Sequence, residues 1–122
     1  MKWPAAFLFC LLPVSVPAHP HIFIDTGFDL VTDENGRLTH IRTTWAYDEY
    51  YTLLITEDRK LDQDFDGELT EQEQEQLTGF DMNWDADFNG DLVATLNGQP
   101  LELSRPLQPT ARMTVGRIVT TH

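Results

Sequence analysis

The chain has 122 residues, with 8 basic against 20 acidic side chains and a formal net charge of −12. So acidic a surface excludes nucleic acid and anionic membrane surfaces as partners and favours cations or a basic protein face. A single cysteine, Cys10, excludes an internal disulfide framework, and the length suits one domain.

Residues 1–18 carry Lys2, an apolar run from Ala5 to Val16, and Val16-Pro17-Ala18 ahead of His19. This is the pattern of a secretory signal peptide cleaved after Ala18, and the apolar run is short for a membrane span. Cleavage removes Lys2 and Cys10, taking the net charge from −12 to −13. Residues 19–122 are therefore expected to form one periplasmic or secreted domain with no stable membrane insertion. Without disulfides it must hold its fold by its core, a metal or a partner.

The mature chain would begin His19-Pro20-His21. Imidazole is a preferred ligand of nickel, cobalt, zinc and copper. Pro20 has no amide hydrogen, which excludes the square-planar chelate built on a deprotonated second amide. A brace remains, formed by the His19 amino group and ring with His21 or His40. Ordinary surface histidines account for the same residues.

Residues 22–31 and 38–45 alternate apolar and polar side chains and read as two antiparallel strands. Between them, Asn35-Gly36 suits the centre of a type I′ turn, with a longer loop over 33–37 as the alternative. The two-residue turn would set Val31 opposite His40 and Phe23 opposite Asp48. Asp48 would then lie near His21, to share a metal or a hydrogen bond. From Asp48 to Leu61 the spacing becomes helical, with Tyr47, Tyr51, Leu54 and Leu61 as the apolar stripe and Tyr50 and Leu53 at its margin.

Residues 62–73 carry the chemistry of the chain: Asp-Gln-Asp-Phe-Asp-Gly-Glu-Leu-Thr-Glu-Gln-Glu. A calcium ion takes six to eight oxygens, and a twelve-residue EF-hand loop supplies them from positions 1, 3, 5, 7, 9 and 12. Those positions are Asp62, Asp64, Asp66, Glu68 through its carbonyl, Thr70 through a water, and Glu73 as the bidentate closer. Gly67 stands where the loop turns with positive φ, and Leu69 fills the apolar eighth position. A merely acidic turn explains the charge but not these offsets, although 15 of the 20 acidic residues lie between Asp48 and Asp91. Thr70-Glu-Gln-Glu is also a capping box, so a short outgoing helix to about Leu77 follows, docked through Leu69, Leu77 and Phe80.

Asp85, Asp87, Asn89, Gly90 and Asp91 repeat the start of the loop, but the twelfth position is Leu96 and no helix pattern follows. The segment reads as an acidic turn at a strand entrance, with a weak second cation site at Asp85, Asp87, Asn89 and Asp91 as the alternative. Residues 91–96 and 100–103 flank Asn97-Gly98, a second hairpin signal. Residues 112–121 suggest a further strand pair about Gly116-Arg117. The pattern is open at His122, as in a fragment or a domain completed by another chain. The fold class expected is α+β: a small antiparallel framework carrying a helix–calcium loop–helix insert.

His-Pro-His-Ile-Phe-Ile-Asp after a leader, a Trp-containing strand running into Tyr-Asp-Glu-Tyr-Tyr, and the loop 62–73 together resemble a family of bacterial periplasmic proteins of unknown function (domain of unknown function 1007). The resemblance covers essentially all of the mature chain. Members are catalogued as the periplasmic component of an uncharacterised ABC-type transport system, often encoded beside permeases resembling nickel and cobalt exporters. It implies an accessory or substrate-binding role in transition-metal transport, with an inner-membrane transporter as partner. It supplies no catalytic residue, and the chain offers no Ser-His-Asp set or phosphate loop, so no enzyme is expected. The alternative is a calcium-stabilised protein-interaction module without a transition-metal role.

Overall fold

The computed structural model describes residues 21–122. The expected leader and His19 lie outside the described residues. Strand β1 (Ile24–Thr32) and strand β2 (Leu38–Tyr47) form an antiparallel hairpin in which Val31 faces His40 and Ile24 faces Tyr47. This is the register that the two-residue turn would have set. The turn is the longer one, because the Asp33 carboxylate accepts from the N–H groups of Asn35 and Arg37, both at 2.9 Å. Only Gly36, at φ +75°, takes the left-handed conformation there, and a bulge at Val31/Thr32 absorbs the change of pairing.

Helix α1 (Glu49–Asp58) follows at once, and Asp48 fixes its start. One carboxylate oxygen accepts from Tyr51 N–H and the other from Phe23 N–H, both at 2.7 Å, while Asp48 N–H reaches Phe23 O at 2.9 Å. The cap thus ties the helix to the start of β1. With its start fixed, the helix turns Tyr51, Thr52, Ile55 and Thr56 toward the sheet and leaves Tyr50 and Leu53 exposed. Of the apolar stripe expected from sequence, Tyr47, Tyr51 and Leu61 join the core and Leu54 does not, while Thr52 and Thr56 take inward positions that were not foreseen. They fit there because Thr52 Oγ1 accepts from Ile118 N–H at 2.9 Å and Thr56 Oγ1 donates to Leu53 O at 2.9 Å, so neither hydroxyl is stranded.

The helix also stops earlier than Leu61. Lys60, at φ +57°, donates to Glu57 O at 3.1 Å, and Leu61 donates to Thr56 O at 2.8 Å, the two bonds of a Schellman motif. Leu61 is buried as its apolar anchor. The loop from Asp62 leads into helix α2 (Glu71–Leu77), which carries the expected capping box and ends on fully buried Leu77.

Two-residue strands β3 (Thr95–Leu96) and β4 (Gln99–Pro100) flank Asn97 and Gly98, both at positive φ, as a type I′ turn demands. They are shorter than the sequence suggested. Strands β5 (Thr110–Thr114) and β6 (Arg117–Thr121) turn at Val115-Gly116, one residue before the expected position. Arg117 is thereby free to span the sheet, donating to Tyr47 O at 2.7 Å, Ala46 O at 3.0 Å and the Asp25 carboxylate at 2.9 Å. The four-stranded antiparallel sheet has the order β1-β2-β6-β5, confirming an α+β fold. Its core of Trp45, Tyr47, Leu61, Leu77, Ala111 and Ile118 packs with Tyr51, Ile55, Leu69, Phe80, Trp84 and Phe88. Each fully buried Leu or Ile contributes roughly 1.5–3 kcal/mol.

Candidate metal centre

The first acidic loop gathers its carboxylates. Among the described residues, Asp62, Asp64 and Asp66 form the one group of three or more potential ligand side chains whose oxygens all lie within 4.8 Å of one another. The backbone is shaped to do this. Asp62 Oδ1 accepts from Asp66 N–H at 3.1 Å and Oδ2 from Gly67 N–H at 3.2 Å, so the first ligand residue folds the next turn around itself. Gly67 turns at φ +78° and Phe65 at +55°; Asp66 Oδ1 accepts from Glu68 N–H at 2.9 Å. Leu69 packs inward against the core, which leaves Phe65 73% exposed at the tip.

Glu73 closes the loop from the other end. Its Oε2 accepts from Asp62 N–H at 2.7 Å and its Oε1 from Thr70 N–H at 3.1 Å, while Thr70 Oγ1 accepts from Glu73 N–H at 3.2 Å. The last ligand position is thus bound to the first, and the same carboxylate completes the capping box. Those N–H bonds, Asp62 first, hold Glu73 below the usual carboxylate range. Asp62 is shifted the other way: desolvation comes first, and hydrogen-bond contacts with Asp66 and Asp64 add to it. Neither ion pair among the described residues, Asp25–Arg117 or Asp81–His122, offers this cluster a cation. Three crowded hard oxygens without a counter-charge, in a loop already closed by Glu73, fit a calcium ion. Asp62, Asp64 and Asp66 would hold it, with the Glu68 carbonyl and Thr70; Glu73, outside that group and with both oxygens on backbone N–H groups, would exchange those bonds to close the shell.

The other expected sites fare differently. Asp85, Asp87, Asn89 and Asp91 form no such cluster. Asn89 Oδ1 instead accepts from Asp91 N–H at 3.0 Å, and Phe88 N–H reaches Asp85 O at 3.1 Å. The segment is packed: Trp84 meets Phe88 edge-on at 5.0 Å, and Arg105 lies over Trp84 while donating to Trp84 O and Asp85 O. Turns fall at residues 86–87 and 90–91. Asp48 is bonded to Phe23, two residues after His21, as the expected register required, whereas His40 lies eight positions from Asp48, roughly 26 Å at the usual rise. Both Asp48 oxygens are occupied as the helix cap, and those N–H bonds, Tyr51 then Phe23, hold its carboxyl below the usual range. His40 Nδ1 lies 3.0 Å from Thr39 Oγ1, and His21 joins no cluster among the described residues.

Sequence reasoning missed a buried polar trio. Asp81 Oδ2 accepts from Tyr47 Oη at 2.9 Å and lies 3.1 Å from His122 Nε2, with the His122 and Asp81 side chains 4% and 9% exposed. Trp45 and Trp84 lie tilted against the imidazole with ring centroids at 4.4 and 5.3 Å. Burial opposes ionisation of Asp81. The His122 hydrogen bond and charge, the Tyr47 hydroxyl and the nearby Thr120 hydroxyl nevertheless hold its carboxyl below the usual range. Burial and then the Asp81 charge push the Tyr47 phenol far up, so it remains a neutral donor. Thr120 Oγ1 makes no hydrogen bond of good geometry, and His122 Nδ1 has no partner. The available signal was the inward alternation Ile118, Thr120, His122; nothing local points it at Asp81.

The family model described as "Protein of unknown function (DUF1007)" matches residues 4–122. Searches of curated proteins and of solved structures return no match.

Proposed function

The chain belongs to the DUF1007 family, and we propose that it is an exported calcium-binding protein whose ion clamps α1 and α2 onto the sheet. The observation that carries this is the convergence of Asp62, Asp64 and Asp66 within 4.8 Å in a loop that Glu73 ties shut. A structural ion suits the site: it is a lone loop, its flanking helices are short, and α2 is anchored by Leu77 in the core. Extracellular sites of this type bind as weakly as about 10⁻³ M and still fill where calcium is plentiful. The role is binding rather than catalysis. Isothermal titration with calcium should give heat for one site, with a rise in melting temperature that Asp62→Ala abolishes. No heat and no thermal shift at millimolar calcium, with Asp62→Ala melting like the parent, would end the reading.

A second reading adds transition-metal handling beside an inner-membrane transporter. Its support is the resemblance to periplasmic transport components and the His19-Pro20-His21 sequence. Its candidate ligands are His19 with His21 or His40, and His21 with Asp48. Equilibrium dialysis against nickel, cobalt, zinc and copper separates the two readings. Retention that a His19→Ala/His21→Ala double variant loses supports metal handling, and no retention leaves a calcium-stabilised interaction module.

A further inference from the structure

Beside the second acidic segment lies a cavity of about 490 Å³ in which the calcium loop takes no part. Trp45, Tyr47, Trp84 and Phe88 wall it, and Asp81, Asp85 and Asp87 border it. No lysine or arginine is among its lining residues. Aromatic and anionic walls together favour one kind of guest, a cation, which ring faces and carboxylates attract alike. The cup lies at the Trp45–Tyr47 end of β2. Strand β6 runs the other way, from Val119 opposite Ala46 to His122 beside Thr43, and so is directed away from it.

Two observations point to an occupant. The Asp81 side chain is 9% exposed, and its hydrogen bonds with Tyr47 and His122 both use Oδ2. Oδ1 makes no hydrogen bond of good geometry among the described residues, on a carboxylate that its neighbours keep charged against the cost of burial. Trp84, for its part, already carries a cation, because the Arg105 guanidinium lies 5.5 Å from its ring centroid. Arg105 borders the larger neighbouring cavity and not this one, while Trp84 borders both. The kind of cation follows from spacing. Asp81, Asp85 and Asp87 do not converge as a metal site does, so a bare ion would leave most of their oxygens out of reach. An alkylated ammonium is wide enough to meet rings and carboxylates together, and it has few N–H groups for aromatic walls to leave unpaired.

We infer that this cup binds a small alkylated ammonium ion of about the size of choline, with Trp45, Trp84 and Phe88 against its methyl groups and Asp81, Asp85 and Asp87 supplying the opposing charge. The test is titration of the whole chain with choline at fixed ionic strength and fixed calcium, read by Trp fluorescence and by calorimetry. Choline should give a saturable change with a Kd of about 1 mM. Its neutral carbon analogue, dimethylbutanol, should bind about tenfold more weakly. The Asp85→Asn/Asp87→Asn variant, altered only at exposed positions, should bind choline about threefold more weakly without a fall in melting temperature. No saturable change up to about 50 mM choline overturns the inference, as does an equal change with dimethylbutanol or potassium. So does choline binding that the double variant leaves unchanged, which places it elsewhere on the molecule. Tighter binding of N-acetyl-lysine amide than of choline overturns it in favour of a basic protein side chain.

Discussion

The two acidic loops begin alike, with Asp at positions one and three and Gly at position six, and end in different structures. In the first, the carboxylates converge and the glycine is bare: a Cβ on Gly67 would meet nothing within 4 Å. In the second, a Cβ on Gly90 would come within 2.9 Å of Trp84 Cη2. One loop is held open around its oxygens and the other is filled from inside by an indole. The difference teaches that a ligand pattern is only half of a site. The other half is what stops the loop from packing on its own side chains, and here that is Glu73, which bonds the loop's two ends together.

The contrast can be broken in several places. Gly90→Ala should be the most damaging change, about 3 kcal/mol in chemical denaturation, adding left-handed strain to displacement of a packed ring. Asp62→Ala should forfeit the calcium-linked stabilisation, about 2.7 kcal/mol at calcium a hundredfold above Kd, and lose nothing comparable in chelator. Between the loops, Asp81→Asn should cost about 2 kcal/mol at pH 7 by weakening charged hydrogen bonds to Tyr47 and His122. The sign with pH follows from the lowered Asp81 carboxyl. Its contribution is present above the ordinary carboxylate range and is lost as pH falls through the lowered folded-state value. Parent and variant unfolding curves should therefore converge in acid. Gly67→Ala should cost about 1 kcal/mol, from φ alone. The Asp85→Ala/Asp87→Ala double variant should change stability by less than about 0.5 kcal/mol and leave calcium stoichiometry as it was. A lost calcium site in that double variant would show that the loops are one system.

What could be read in advance was local. The register of the first hairpin was set from a two-residue turn, and it holds with the longer loop because the bulge at Val31/Thr32 absorbs the difference. The Thr70–Glu73 capping box and the end of α2 at Leu77 were legible for the same reason. The inward face of α1 was legible only in part, at Tyr51. Hydropathy favours Leu53 and Leu54 over Thr52 and Thr56, while the rotation of the helix is set by Asp48 and by a hydroxyl partner 66 residues away at Ile118. The pairing of His122 with Asp81 crosses 41 residues and depends on how β6 meets β2, which no spacing rule encodes. The convergence of Asp62, Asp64 and Asp66 was legible too, because the loop's geometry is nearly all its own.

Gln74, on the second turn of α2, reaches past its helix and accepts from Met113 N–H at 3.1 Å. Met113 lies on β5, the outermost strand on that side of the sheet, so this amide contact caps a border that would otherwise template aggregation. On the calcium reading, the ion then does more than hold a helix in place. It keeps a cover over the sheet's border, and chelation would show itself as turbidity and self-association at least as readily as unfolding.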